Sequence, residues 1–111
     1  MVNFKQLFAF STREVQFSFS FAAFLAGILG LRLLRAPLFY KEQSYGKLLI
    51  IIPKRSGKAH ERNKLRRQIK AAFYENKLFE KPITSVLLVY HQAKKLSYEE
   101  IKEFLCKNIN T

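Results

Sequence analysis

Aspartate is absent from this chain of 111 residues, and all eight of its acidic side chains are glutamate. Histidine occurs only at His60 and His91, and cysteine only at Cys106. These scarcities first exclude chemistry. A two-metal nuclease needs clustered carboxylates, and metal-free acid–base hydrolysis needs a histidine pair. Glu75 and Glu80 stand apart from the other acids with no ligand spacing around them. The two histidines fall in different elements, His60 as a candidate neighbour of phosphate and His91 at the surface end of a strand. No catalytic residue and no metal site is expected in the chain itself. A single thiol cannot close an internal disulfide, which fits a reducing cytoplasm. With no histidine beside it, Cys106 reads as a bystander on the edge of a helix face.

A long apolar run is also missing. Val15 to Leu31 carries no charge, but its 17 residues sit at the lower limit for spanning a bilayer core of ~30 Å. Gln16, Ser18, Ser20, Gly27 and Gly30 dilute it, and Phe17, Phe19 and Phe21 alternate with polar residues in a period of two. No membrane span is expected. No basic cluster precedes the run, so a cleaved signal peptide is not expected either. The expected location is the cytoplasm.

What is present is apolar material and positive charge. Hydrophobic residues make up 49%, with 11 Phe and 5 Tyr, enough to bury one core and argue against disorder. The length suits a single domain, here 1–111, with residues 1–10 as a loosely placed leader and 11–109 as the fold. Twenty Lys and Arg leave a net charge of +12, which draws a protein to polyanions, either nucleic acid or an anionic membrane surface.

Local signals divide the chain. Ser11 with Glu14 is a capping-box pattern opening a short first helix into the Phe-rich segment. Gly27 and Gly30 break that pattern, and Leu31 to Tyr40 reads as extended, with Pro37 marking an edge strand or a bulge. After a turn at 42–46, Leu48 to Ile52 suits a buried strand that Pro53 ends. A second helix is expected from about Glu61 to Lys77, its apolar arc formed by Leu65, Ile69, Ala72 and Phe73. Pro82 breaks the chain, and Ile83 to Tyr90 has the content of another buried strand. Ser97 with Glu100 opens a last helix that presents Tyr98, Ile101, Phe104, Leu105 and Ile109 to the core. The fold class is α/β (α+β), a two-layer sandwich in the order helix, two or three strands, helix, strand, helix.

The charge is concentrated. Between Lys54 and Lys70 eight basic residues face one acid, Glu61. A basic turn leads into a helix whose Arg66, Arg67, Lys70 and Asn63 point away from its apolar arc. Backbone N–H groups and lysines of such a turn can meet phosphates, and the planar fork of Arg can grip phosphate twice or stack on an unpaired base. A solvated basic face would carry Glu at i+4 spacing, which this helix lacks. A Walker-type phosphate loop is excluded, because only Gly57 is present where two glycines and a Lys-Ser/Thr pair are needed.

The stretch from Lys54 to Phe73, Lys-Arg-Ser-Gly-Lys-Ala-His-Glu-Arg-Asn-Lys-Leu-Arg-Arg-Gln-Ile-Lys-Ala-Ala-Phe, resembles the signature of the bacterial ribonuclease P protein family. That signature is a Lys-Lys-x-Gly-x-Ala loop followed by Arg-Asn-Arg-x-Lys-Arg-x-x-Arg-x-x-Phe. Leu96-Ser97-Tyr98-Glu99-Glu100, opening the last helix, agrees too, so the likeness covers roughly residues 46–109. It implies a sheet in which the Arg-Asn helix joins parallel strands by a left-handed crossover, against the usual hand. It implies a protein cofactor of an endoribonuclease that matures the 5′ end of precursor tRNA. The partner would be the catalytic RNA, one protein per RNA, which supplies the hydrolysis with Mg²⁺.

The RNA-binding residues carried over are Lys54, Arg55, Lys58, Arg62, Asn63, Lys64, Arg66, Arg67 and Lys70. The single-stranded 5′ leader of precursor tRNA would lie in a cleft between sheet and helix. Phe17, Phe19, Phe21 and Phe24 are candidates to line it, each of which could equally be a core phenylalanine. A ring facing the cleft would stack on unpaired bases at ~1–3 kcal/mol per base. The chain departs from the pattern at Lys64, which replaces an Arg and loses its bidentate geometry. It departs also at Pro53, and at His60-Glu61 in place of an aliphatic pair. A general structured-RNA-binding or ribosome-associated module is the alternative, and a small membrane protein a third.

Overall fold

Alternation along four strands gives one sheet two faces with different fates. In a computed structural model, which describes residues 2–109, the chain runs α1 (Thr12–Phe21), β1 (Ala23–Ile28), β2 (Leu31–Ala36), β3 (Lys47–Ile51), α2 (Ala59–Glu75), β4 (Thr84–Val89) and α3 (Tyr98–Ile109). The sheet order is β1-β2-β4-β3. β1–β2 and β2–β4 are antiparallel and β3–β4 is parallel, so α2 is the crossover between the parallel pair. The expected element order is met with three strands before α2.

One face is closed. Leu31 and Leu33 of β2, Leu48 of β3, and Leu87 and Val89 of β4 share it, as a period of two requires. They join Leu65, Ile69, Ala72 and Phe73 of α2 and Ile101, Phe104, Leu105 and Ile109 of α3 in a single core. These are the apolar arcs expected of both helices, except that Tyr98 is only half-buried. The Ser97–Glu100 box forms, with the Glu100 N–H donating to Ser97 Oγ and the Ser97 N–H to Glu100 Oε1.

Several expectations change. Residues 2–10 are not loosely placed. Met1 lies outside the described residues, but Phe4–Leu7 forms a 3-10 turn capped reciprocally by Asn3 and Gln6, and Leu7 is fully buried in the core. Phe8 meets the edge of the Phe73 ring at 5.7 Å and Phe4 that of Tyr74 at 5.1 Å. Pro37 marks neither an edge strand nor a bulge. β2 is an inner strand that ends at Ala36, one residue before the proline, so no ladder bond is lost. The irregularity lies in β1, between Phe24 and Ala26.

Gly27 continues β1, and only Gly30 breaks the chain. It takes φ 75 in the β1–β2 turn, where a Cβ would fall 2.1 Å from the Ala93 nitrogen. The aliphatic run at Leu48 forms an edge strand rather than a buried inner one: Lys47 and Leu48 are buried on opposite faces and Leu49 to Ile51 are only half-buried. α2 starts at Ala59 and stops at Glu75, where the Asn76 side chain donates to the Ala72 carbonyl and Lys77 turns left-handed at φ 53. Among the described residues no helix is long and apolar enough to cross a membrane.

Candidate nucleic-acid interface

The basic turn is pinned to the sheet. After Ile52 and Pro53 the chain makes a 3-10 turn over Lys54–Ser56, and the buried Ser56 hydroxyl donates to the Val89 carbonyl at 3.0 Å. That bond holds Lys54 and Arg55, both exposed, at the C-terminal ends of the parallel strands. Gly57 follows at φ 150 with Glu61 Oε1 3.0 Å from where a Cβ would stand, a conformation and a space that favour glycine. Arg62 Nε donates to the Gly57 carbonyl at 3.2 Å, folding the turn back on the helix.

Glu61, the one acid here, is occupied. Its carboxylate accepts the Lys58 N–H at 2.8 Å and meets Lys94 Nζ at 3.5 Å. The Lys58 N–H chiefly, with Lys94 and His60 adding, holds this carboxyl below the usual range. The Lys58 ammonium has no acceptor, so its own side chain cannot complete a capping box.

At 100° per residue, Arg67 points straight away from the core arc of α2, with Asn63 and Lys64 exposed on either side. Arg66 lies on one flank and donates to Asn63 Oδ1 at 3.0 Å. Lys70 continues that flank, its Nζ 5.3 Å from the centre of the Phe8 ring. On the other flank His60, Lys64 and Gln68 line a hollow of about 300 Å³ with Lys94 and Leu96. The nine expected residues thus occupy one turn and one helix. Six are exposed, whereas Arg62, Arg66 and Lys70 are partly shielded. Lys94 and Lys95, in a 3-10 turn over His91–Lys95, extend the positive surface and were not expected there. The Lys-Lys pair was their only sequence signal.

The second face of the sheet is open in part: Ala36, Lys47, Thr84 and Val86 are buried, but Leu34, Leu49, Ile51 and Leu88 are only half-buried and Arg32 is exposed. Register sets three rungs across it: Ala36, Thr84 and Lys47; Leu34, Val86 and Leu49; Arg32, Leu88 and Ile51. None belongs to the core cluster. α1 lies against β2 and β4 at the first rung, where Lys47 Nζ meets Glu14 Oε2 at 2.7 Å. The third rung ends beside the basic turn.

Four rings form a ridge from α1 to the segment after β2: Phe21 to Phe17 at 5.0 Å, Phe17 to Phe39 at 5.3 Å, Phe39 to Tyr40 at 4.9 Å. Phe24 pairs with Leu34 in register, and the Arg32 guanidinium lies 5.0 Å above its ring. None of the four candidate phenylalanines is in the core. Phe19, exposed, stands about 160° around α1 from Phe17 and is the one not brought to this face. Phe39 and Tyr40 escaped the sequence reading. Two adjacent aromatics after Pro37 were their signal.

Among the described residues no group of three or more His, Cys or Glu side chains could hold a metal ion. Cys106 is half-buried, and burial pushes its thiol up, away from reactivity.

A mixed four-stranded sheet with a basic turn and helix at the end of its parallel strands, and an aromatic open face beside them, defines a small nucleic-acid-binding α/β protein. The family model described as Ribonuclease P matches residues 30–110, and the chain belongs to that family. RNA binding and tRNA processing follow from the family, as does membership of an endoribonuclease holoenzyme whose catalysis lies in RNA. A Staphylococcus aureus RNase P protein, a mutant with defective mRNA degradation activity, superposes with TM-score 0.79 at 20% identity, covering 96% of this chain and 87% of that one. The Thermotoga maritima RNase P protein, solved with 1-(4-fluorophenyl)-2-thiourea, gives TM-score 0.71 at 22% identity, covering 86% and 90%. At such identities these likenesses speak to the fold. No curated protein sequence matches the chain.

Proposed function

We propose that the chain binds the ribonuclease P catalytic RNA through Lys54, Arg55, Lys58, Arg62, Asn63, Lys64, Arg66, Arg67 and Lys70, and takes the 5′ leader of precursor tRNA on its open sheet face. One protein serves one RNA, in the cytoplasm, and the RNA brings the Mg²⁺ and performs the hydrolysis. Phe17, Phe21 and Phe24 stack on leader bases, joined by Phe39 and Tyr40, with Phe19 outside the set. The observation that carries this reading is continuity: Ser56 ties the basic turn to Val89 at 3.0 Å, at the end where the open rungs finish. A strand lying over the rungs therefore runs on to cations that can meet its backbone, while its bases face aromatic rings.

The test is reconstitution at low Mg²⁺ with a bacterial ribonuclease P RNA. Added protein is expected to stimulate leader removal from precursor tRNA, with no cleavage when the RNA is omitted. Binding without stimulation would point instead to a general RNA-binding module.

A further inference from the structure

α1 is a phenylalanine-rich helix of whose rings only Phe17, half-buried against Phe39 at 5.3 Å, helps to hold it in place. Its buried residues are Glu14 and Ser18, while Phe19 and Phe21 are 48% and 61% exposed. What fixes its first turn is directional. Glu14 Oε1 accepts the Ser11 N–H at 3.1 Å, the Glu14 N–H donates to Ser11 Oγ at 3.2 Å, and Oε2 receives Lys47 Nζ at 2.7 Å. Lys47 also lies 4.3 Å from the centre of the Phe10 ring, just before the helix. Both charged side chains are more than nine-tenths buried. The first turn of α1 is thus clamped to β3, whereas its last turn carries rings that remain open to solvent.

We infer that Glu14 and Lys47 form a positioning pair, which sets the pitch of α1 across the open face and so the height of the Phe17 and Phe21 rings above the rungs. This rests on the reading that the open face takes the leader. Phe17 and Phe21 stand three and seven residues beyond Glu14, ~4.5 and ~10.5 Å along the axis. A tilt of about 10° at the clamp moves the outer ring by ~2 Å, comparable to the whole tolerance of a stacking contact. An apolar contact slides, but a charged hydrogen bond with a fixed partner does not. The pair touches neither RNA nor substrate in this arrangement and acts through the rings.

The experiment uses the holoenzyme reconstituted with a bacterial ribonuclease P RNA. It measures affinity for precursor tRNA against leaderless tRNA, and separately affinity for the RNA subunit. Lys47→Met is expected to lower the leader preference about tenfold, the worth of roughly one stacked base, with binding to the RNA subunit unchanged and Lys47→Arg retaining most of the preference. In a Phe17→Ala/Phe21→Ala background, Lys47→Met should have no further effect, because the rings it positions are gone.

Should Lys47→Met not fold by circular dichroism, Glu14→Gln carries the same test, since its amide keeps the Ser11 cap while removing the charge. Full leader preference in the folded pair variants, with loss in the double phenylalanine variant, overturns the positioning role alone, as does a Lys47→Met loss that simply adds to that of the double variant. Undiminished preference in every variant overturns the reading of the face together with the pair.

Discussion

The two faces of the sheet are built from the same aliphatic residues and end differently. On the closed face Leu31, Leu33, Leu48, Leu87 and Val89 are fully buried, because α2 and α3 bring apolar arcs of matching width. On the open face Val86 is buried at the centre, but Leu34, Leu49, Ile51 and Leu88 around it stay half-buried, because α1 turns Glu14 and Ser18 inward. Burying a phenylalanine is worth about 1.5–3 kcal/mol, so leaving Phe21, Phe24 and Tyr40 half exposed or more forgoes on the order of a few kcal/mol. Apolar patches kept at that expense mark interaction surfaces. Composition therefore decides that a sheet forms, and the helix laid across each face decides what the face is for.

The sharpest way to break this comparison is to truncate one leucine on each face. Leu87→Ala is expected to destabilise the protein by ~2–5 kcal/mol, the range for a fully buried leucine, read from urea unfolding. Leu49→Ala, two strand positions from the rim and half-buried, is expected to cost about 1 kcal/mol or less while lowering the preference for leader-bearing precursor. Equal losses of stability would mean that the second face is core as well.

Next in size is the electrostatic surface. Arg62 ties the Gly57 backbone at 3.2 Å, whereas Arg66 meets only the exposed Asn63 side chain, so the cleaner pair to remove is Arg66 and Arg67. Their replacement by Ala is expected to weaken binding to the RNA subunit and to lower the slope of log K against log salt by roughly 0.7–0.9 for each phosphate no longer neutralised. Leader preference should change little. A slope identical to that of the unaltered protein would mean that the outer ridge of α2 does not touch the RNA.

Much of the closed face was legible in the sequence. The arcs of α2 and α3 and the boxes at Ser11 and Ser97 are local signals, written in residues three or four apart. The motif at Lys54–Phe73 is likewise contiguous, and all nine of its expected residues lie on one turn and one helix. The open face is written at long range. β1 has no alternation to reveal it, because only Ala26 among its six residues is even half-buried. The pairing of Glu14 with Lys47 spans 33 residues, and neither residue announces a partner. Asn3 with Gln6 did form a capping box, in a less familiar pair of residues than Ser with Glu, and the N-terminal turn was missed for that reason.

The clamp on α1 should show in the pH dependence of stability. Burial alone would raise the Glu14 carboxyl, but hydrogen bonds from Lys47 and Ser11 and the Lys47 charge outweigh it and hold the carboxyl below its ordinary 4.5. A carboxyl lowered on folding contributes stability that is fully present above its unfolded value and is lost as pH falls through the folded one. The thermal stability gap between the unaltered protein and Glu14→Gln is therefore expected to be constant at neutral pH and to shrink below about pH 4.5. A gap that persists to the acid limit would mean that the glutamate acts through its cap and shape and not through its charge.

The smallest effect belongs to a polar contact on the rim of the closed face, and its smallness is what makes it informative. Tyr98, at the start of α3, donates its hydroxyl to Glu75 Oε1 at the end of α2 at 2.8 Å. That bond first, then burial, pushes the phenol up to about 12. Where apolar arcs already fix the helices, such a bond has little left to decide, so Tyr98→Phe is expected to cost less than ~1 kcal/mol, while the tyrosinate signal near 12 disappears from a spectrophotometric titration. Glu14 and Lys47 make a contact of the same length class on the face that lacks those arcs. If Tyr98→Phe lowered stability as much as Lys47→Met, the helices of both faces would depend equally on their polar pins, and the open face would owe its form to something other than the inward side of α1.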